Sequence, residues 1–274
     1  MNMLKTRLIP VLLYKDGFIV KSRNFKNHQI VGDPVSQVAR YNEWNIDELI
    51  YLNISDKNQK TNHLNYKVTS STSGGKKILP DENLDIENFI KILSKKCFMP
   101  LTYGGSINNI EVARKILKNG ADKISINTAA FKNKQMVIDC VKNFGGQSVV
   151  ISIDYKKINA DHIVCIENGK EVTNTKVEDW AHEVEKLGVG EILLNSIDND
   201  GRNNGYDIEF KSKIIKQSNI PITICGGVGN FQHFVEGFNQ AKPHAMAAAN
   251  IFQFTEDSYQ NAKRFCKSKN LNVR

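Results

Sequence analysis

A single (β/α)8 barrel spanning residues 1–274 is the fold class this sequence predicts, and three observations predict it. Short β-rich runs alternate with amphipathic helical stretches along the chain, the pattern of parallel strands joined by helices. The chain also repeats itself roughly half a length apart. PLTYGGSINNIEVARKI at 100–116 is echoed by PITICGGVGNFQHFVEG at 221–237, and DELIYLNISD at 47–56 by GEILLNSID at 190–198. Finally, 274 residues exceed the usual single-domain length but suit one barrel of about 250. Two duplicated half-barrels closing on each other explain the repeat; an open doubly wound sheet does not.

In chain order, strands are expected at 7–14, 47–54, 98–103, 122–127, 148–154, 190–196, 220–225 and 244–249. The clearest helix is expected over 108–119, with apolar residues three and four apart and Gly120 to close it. Hydrophobic residues at 41% and charged residues at 24% are ordinary for a globular protein with a substantial core. Two connections are long. Residues 15–32 carry Lys21, Arg23 and Lys26, and residues 55–84 are polar and rich in Ser, Thr, Asn, Lys and Gly. Loops that follow barrel strands line the active face, so 55–84 reads as a lid, a partner-binding arm or a plain solvated loop.

The balance of 37 Lys+Arg against 29 Asp+Glu gives a formal charge of +8. No basic stripe is interleaved with aromatics, which argues against nucleic acid; anionic small ligands, phosphates above all, suit the surplus better. Cysteines 97, 140, 165, 225 and 266 form no CxxC and are odd in number, as expected of reduced thiols in a cytoplasm. No charged-then-apolar leader and no long apolar run are seen, so neither export nor a membrane span is expected. The six histidines show no metal-ligand spacing with a carboxylate, so no metal site is expected.

Three constellations carry chemistry. Gly104-Gly105-Ser106 and Gly226-Gly227-Val228-Gly229 each follow a strand and open onto a helix, where backbone N–H groups approach an anion closely. Asn127-Thr128 completes the first and Ala249-Asn250 the second, with Asp200-Gly201 beside the second. Matching positions in a duplicated barrel suggest a ligand with two phosphates. Next, Asp154 ends the apolar strand ISID, where an acid is unexpected unless used. Strands one and five lie opposite each other in such a barrel, and when IPVLLYKDG at 9–17 is laid over VVISIDYKK at 149–157 on their shared Tyr-Lys pair, Leu13 stands where the second copy has Asp154. Last, Arg7, Glu48, Lys123 and Glu191 sit at or near strand starts, able to form a ring of alternating charge. Such a ring is either a structural plug or a gate for a small polar molecule.

RLIPVLLYKDG, VGDPV, DELIYLNI, GADKISINTAAF, SVVISID, GEILLNSIDNDG, PITICGGVGN and the terminal LNVR resemble the HisF family, the cyclase subunits of imidazole glycerol phosphate synthase. The resemblance runs nearly end to end and lacks a counterpart of similar length only around 55–84. It implies a (β/α)8 barrel paired at its bottom face with a HisH-type glutaminase, whose ammonia crosses the barrel to a top site holding a ligand with two phosphates. By position, Arg7, Glu48, Lys123 and Glu191 match the family's ammonia gate, and Asp122 a residue at the glutaminase contact. Gly105, Ser106, Asn127, Thr128, Asp200, Gly201, Gly227, Val228, Ala249 and Asn250 fall at the phosphate seats. Lys21 matches the lysine of the first loop, and Asp154 one of two essential aspartates. Leu13 occupies the other's place, Asn53 replaces an aspartate, Ser106 a glycine and Asn250 a serine. No cofactor is implied.

Leucine can neither give nor take a proton, and losing one acid/base partner typically costs on the order of 10²–10⁴ in rate. The leading expectation is therefore a HisF-like subunit that supports sugar amidination for surface glycans, with a sugar amidotransferase as a further partner. A second is the ordinary cyclase of histidine biosynthesis, and a third a non-catalytic scaffold for the glutaminase.

Overall fold

The computed structural model describes residues 5–55, 86–253 and 255–274. Beyond Ser55, the polar segment 55–84 lies outside the described residues, as does His63. The strands are β1 (Arg7–Lys15), β2 (Phe18–Arg23), β3 (Asn27–Gly32), β4 (Leu49–Asn53), β5 (Leu101–Gly104), β6 (Lys123–Ile126), β7 (Val149–Ile158), β8 (Asp161–Ile166), β9 (Glu171–Lys176), β10 (Glu191–Ser196), β11 (Ile222–Cys225) and β12 (Ala245–Ala248). Eight of them, in the order β1-β4-β5-β6-β7-β10-β11-β12, pair in parallel, and β12 returns to β1 to close the barrel.

Helices pack outside: α1 (Pro34–Glu43), α2 (Ile86–Ser94), α3 (Ile110–Lys118), α4 (Thr128–Lys132), α5 (Lys134–Phe144), α6 (Val177–Lys186), α7 (Ile208–Gln217), α8 (Gln232–Glu236) and α9 (Ser258–Ser268). Local chemistry sets their starts. Asp33 accepts from the N–H groups of Val35 and Ser36, with Pro34 in the first turn of α1. Asn109 caps α3 through Val112, and Gly120, at φ +114°, turns the chain after its end, as the sequence suggests.

Each expected strand exists, with shifted limits. The third begins at Leu101 rather than 98, just after Pro100, which has no N–H to give to a ladder and whose carbonyl accepts from Leu49. The larger surprise is a matched pair of excursions. After β1 the chain folds back as the antiparallel hairpin β2–β3, and after β7 as β8–β9. Residues 15–32 are thus a hairpin, not an open connection. The two hairpins sit at equivalent places in the two halves, so the duplication is visible in the fold as well as in the sequence.

Side chains alternate between two cores. Outward residues such as Leu12, Ile124, Ile151 and Ile192 form the main core against the helices. Inward residues Ile9, Val11, Leu13, Ile50, Val150, Leu193, Cys225, Ala245 and Ala247 form a second apolar cluster that lines the lumen. At the barrel's lower end Tyr259 of α9 clasps the sheet: its hydroxyl donates to Leu8 O at 3.0 Å and accepts from Asp47 N at 2.9 Å. Tyr259→Phe strands two buried backbone groups and is expected to cost about 1–3 kcal/mol of stability, read by urea unfolding; an unchanged midpoint would refute the clasp.

Candidate active site

The two mouths of the lumen differ in chemistry. At the lower mouth, where the parallel strands begin, Arg7 opens β1, Glu48 precedes β4, Lys123 opens β6 and Glu191 opens β10. The four side chains close a ring. Arg7 Nη1 reaches the Glu48 carboxylate at 2.7 and 3.0 Å, and Arg7 Nη2 reaches Glu191 Oε1 at 3.0 Å. Lys123 Nζ lies 2.9 Å from Glu191 Oε2 and 3.7 Å from Glu48 Oε2. Thr223 also donates to Glu191. Burial works against each charge, but mutual attraction prevails: the Arg7 pKa is raised by its two glutamates, and the Glu191 pKa is lowered by Arg7 and Lys123.

Asp122 is exposed on this same face, where its carboxylate accepts from Leu101 N at 2.8 Å and so also ties two strand starts. Phe98, in the loop leading to β5, is 85% exposed there. Nothing in its neighbourhood's pattern marked it.

Above the collar the lumen narrows to apolar residues with a few hydroxyls. Strand register carries the inward face from Arg7 through Ala245 to Thr223 and Leu193, and from Val11 through Ile50 to Thr102 and Lys123. Ser125 lies on this face, beside Gly104 and Val150; it is 4% exposed and its hydroxyl has no hydrogen-bond partner. A buried hydroxyl without a partner is a costly group unless something polar visits it.

At the upper mouth Asp154 projects from β7. Asn127 Nδ2 donates to its Oδ2 at 2.9 Å, and Asn195 Nδ2 to its Oδ1 at 3.1 Å. Burial pushes the Asp154 carboxyl up to about 7; the Asn195 amide opposes that rise, the Asp200 carboxylate adds to it, and the Asn127 amide opposes it. A carboxyl poised near neutrality is suited to take and return a proton. Leu13 lies on β1, with three strands between it and β7 in either direction round the barrel, so it faces Asp154 across the mouth. Its neighbours are apolar, among them Val11 and Val20.

The two glycine turns lie on opposite sides of this mouth, after β5 and after β11. Gly105 has φ +101°, and a Cβ there would stand 2.0 Å from Asn53 O; Gly227 has φ +109°, and its Cβ would stand 1.9 Å from Gly205 O. Only glycine fits either place. Ser106 also holds a positive φ, 58°, which explains why glycine would be easier there. Val228 packs its side chain into the main core, and Thr128 Oγ1 accepts from Glu167 N at 2.9 Å. Ala249 borders the lumen cluster.

The hairpin β2–β3 is tied beside the second turn by residues the sequence did not mark: Asn24 Nδ2 donates to the carbonyls of Ile197 and Asp198, Phe25 N to Asp200 Oδ2, and Ser22 reaches furthest. Ser22 Oγ donates to Asp200 Oδ2 at 2.6 Å, and Ser22 O accepts from Asn250 Nδ2 at 3.0 Å. Gly201 permits this approach, since a Cβ there would stand 2.2 Å from Ser22 O. Lys21 stands beside Ser22 on β2, opposite Gln29 of β3. Asn127, expected at a phosphate, instead spends its amide on Asp154; Asn195, which the sequence did not single out, does the same. Among the described residues no three His, Cys, Asp or Glu side chains converge as metal ligands, and no helix is long and apolar enough to cross a membrane.

A closed (β/α)8 barrel with a salt-linked lower mouth and an acid at the upper one belongs to the class of barrels that carry their enzyme sites at the C-terminal ends of the strands. The family model described as histidine biosynthesis protein matches residues 80–258. Curated relatives named imidazole glycerol phosphate synthase subunit HisF align over almost all of the chain. That of Pelodictyon phaeoclathratiforme is 36% identical over 272 residues, covering 99% of this chain and 100% of the relative. Those of Hydrogenobaculum sp. and Staphylococcus aureus are each 38% identical over 274 residues, with the same coverage. The chain belongs to the HisF family.

The Asp154 carboxyl gives a pH test. Its folded pKa lies above the ordinary 3.8, so its contribution to stability is full below that value and is lost as pH rises through about 7. Asp154→Asn, neutral throughout, is expected to gain on the wild type by on the order of 2–4 kcal/mol between acid and mildly alkaline pH. Parallel urea titrations measure the gap; a gap that does not widen with pH would contradict a buried, raised carboxyl.

Proposed function

We propose that this chain is the synthase subunit of a glutamine-dependent complex, receiving ammonia at the lower mouth from a HisH-type glutaminase and delivering it to a phosphorylated ligand at the upper mouth. The observation that carries this reading is the alignment of the Arg7–Glu48–Lys123–Glu191 collar with Asp154 along one lumen. A ring of fully satisfied charges excludes ions and bulk water, yet a small neutral molecule with both donors and acceptors can replace one of its bonds in passing. The unpartnered Ser125 hydroxyl offers it a next station. Asp122 and the exposed Phe98 lie on the face where the glutaminase would dock.

At the top, Asp154 acts as the general acid/base with Asn127 orienting it, Lys21 on β2 is the second catalytic group, and the two glycine turns with Thr128, Asp200, Ala249 and Asn250 seat the ligand's phosphates. The names of the relatives favour the histidine-pathway precursor of imidazole glycerol phosphate as that ligand, and they support this acceptor more directly than any sugar. Leu13 favours a different acceptor: with no acid opposite Asp154, two-ended proton transfer for ring closure has lost one end. Conversion of an acetamido sugar to its acetamidino form closes no ring: nitrogen replaces the amide oxygen, which leaves as water or on the group of an activating co-substrate, and this is the second reading.

Two measurements decide. Lys123→Ala, assayed with the glutaminase, is expected to lose glutamine-dependent product while keeping the product formed from added ammonium salt; equal loss of both would defeat the conduit. Rescue of a strain lacking the histidine cyclase tests the acceptor. If the unaltered chain fails and Leu13→Asp succeeds, the pocket accepts the histidine precursor but lacks its acid; rescue by the unaltered chain makes Leu13 harmless and removes the case for a sugar.

A further inference from the structure

One buried charge has no task in the scheme above. Lys211 lies on α7 and is 0% exposed. Its ammonium donates to the carbonyl of Cys225 and lies 5.2 Å from the centroid of the Tyr206 ring. The acid that acts on it is Asp207, one turn earlier on the same helix, but that carboxylate accepts from the Tyr155 hydroxyl at 3.1 Å and lies 3.3 Å from His162 Nε2. A cation held out of water on one carbonyl and one ring face is costly, and a methionine would fill the same space without that cost.

Its position suggests what the charge does. Cys225 ends β11, and its carbonyl is the last fixed point before Gly226 and Gly227, both at positive φ, shape the second glycine turn. Gly226 in turn abuts Asn195, whose amide holds Asp154. Lys211 therefore sits beneath the turn, on the side away from the mouth, and touches the strand end from which the turn departs.

We propose that Lys211 is a positioning residue for the second glycine turn: it tethers the Cys225 carbonyl from below and supplies the buried positive charge that favours a phosphate on the turn's open side. The proposal rests on that turn being a phosphate seat. A dianion above would repay the cost of keeping the ammonium charged, so binding and protonation are linked. Burial lowers the Lys211 pKa to about 8, with Cys225 and Asp207 pulling it back. The groups that face it are Asp207 from its own helix, Tyr206 from the preceding loop and Cys225 from β11. Burial raises the Tyr206 phenol well above its ordinary value and the Cys225 thiol to about 12. Neither gains charge over the range in which Lys211 loses it.

The test is a titration of the isotope-labelled protein with inorganic phosphate, following the amides of Gly227 and Val228 at the second turn and of Gly105 and Ser106 at the first. For the wild type, affinity at the second turn for the phosphate dianion, corrected for the share of monoanion left near pH 7.5, is expected to fall on the order of tenfold from about pH 7.5 to about pH 9.5. Lys211→Met is expected to bind there on the order of tenfold more weakly at the lower pH, with a flat profile, an unchanged first turn and a melting temperature at or above the wild type's. Wild-type affinity in Lys211→Met, or weakening at both turns together with a lower melting temperature, would overturn the proposal. If Lys211→Met does not fold, the wild-type profile decides alone: a flat profile at the second turn overturns it. If phosphate moves neither turn of the wild type, the phosphate seat itself fails and Lys211 with it; if it moves the second turn equally in both proteins, only Lys211 fails.

Discussion

The pairing of β7 with β10 is the constraint on which the rest of the molecule depends. It is the contact between the second half's first two strands, and its register sets Asp154 beside Asn195 and Val150 beside Glu191. A parallel strand has only two faces, so once those partners are fixed every alternate residue must point into the lumen. A slip of one residue between the two strands would turn one strand's inward set outward while the other's stayed inward, so Asp154 and Glu191 could no longer share the lumen. The acid at one mouth and the collar at the other are thus consequences of one alignment of strands, not separate inventions.

The same burial has opposite effects at the two ends. In the collar each charge meets two of the opposite sign, and attraction over 2.7 to 3.7 Å outweighs the loss of water. At the upper mouth Asp154 bonds only to amides, and the Asp200 carboxylate nearby opposes its charge. Two neutral donors do not make up for lost hydration, and the carboxyl moves towards neutrality. One lumen therefore holds an end of interlocked opposite charges and an end whose acid is raised to about 7. The apolar stretch between them, from Ile9 and Ile50 to Val150 and Leu193, keeps the two electrostatic environments apart.

Much of this was legible in the chain. Eight strands, their order and the halving of the barrel follow from periodicity and from the echoes of PLTYGGS and DELIYLN, because repeats and alternation are local properties of sequence. Residues at strand ends were legible for the same reason, as with Arg7, Lys123 and Glu191. The hairpins were not: β3 and β9 are polar and half-exposed, and the short apolar runs of β2 and β8 do not alternate, so no strand pattern announces the pairs. Nor were Ser22, Asn195 and Lys211, whose roles come from partners 178, 41 and 14 residues away. A serine inside a turn-rich stretch, or a lysine among KSKIIK, looks like solvent-facing material until the tertiary contact is known.

Ser22 illustrates what such a distant contact entails. It occupies, with its hydroxyl and its carbonyl, the polar groups of Asp200 and Asn250 that line the rim. A guest that takes either of those same atoms competes with Ser22 for it, so ligand contact at the rim and the hairpin's hold on the rim draw on one set of hydrogen bonds.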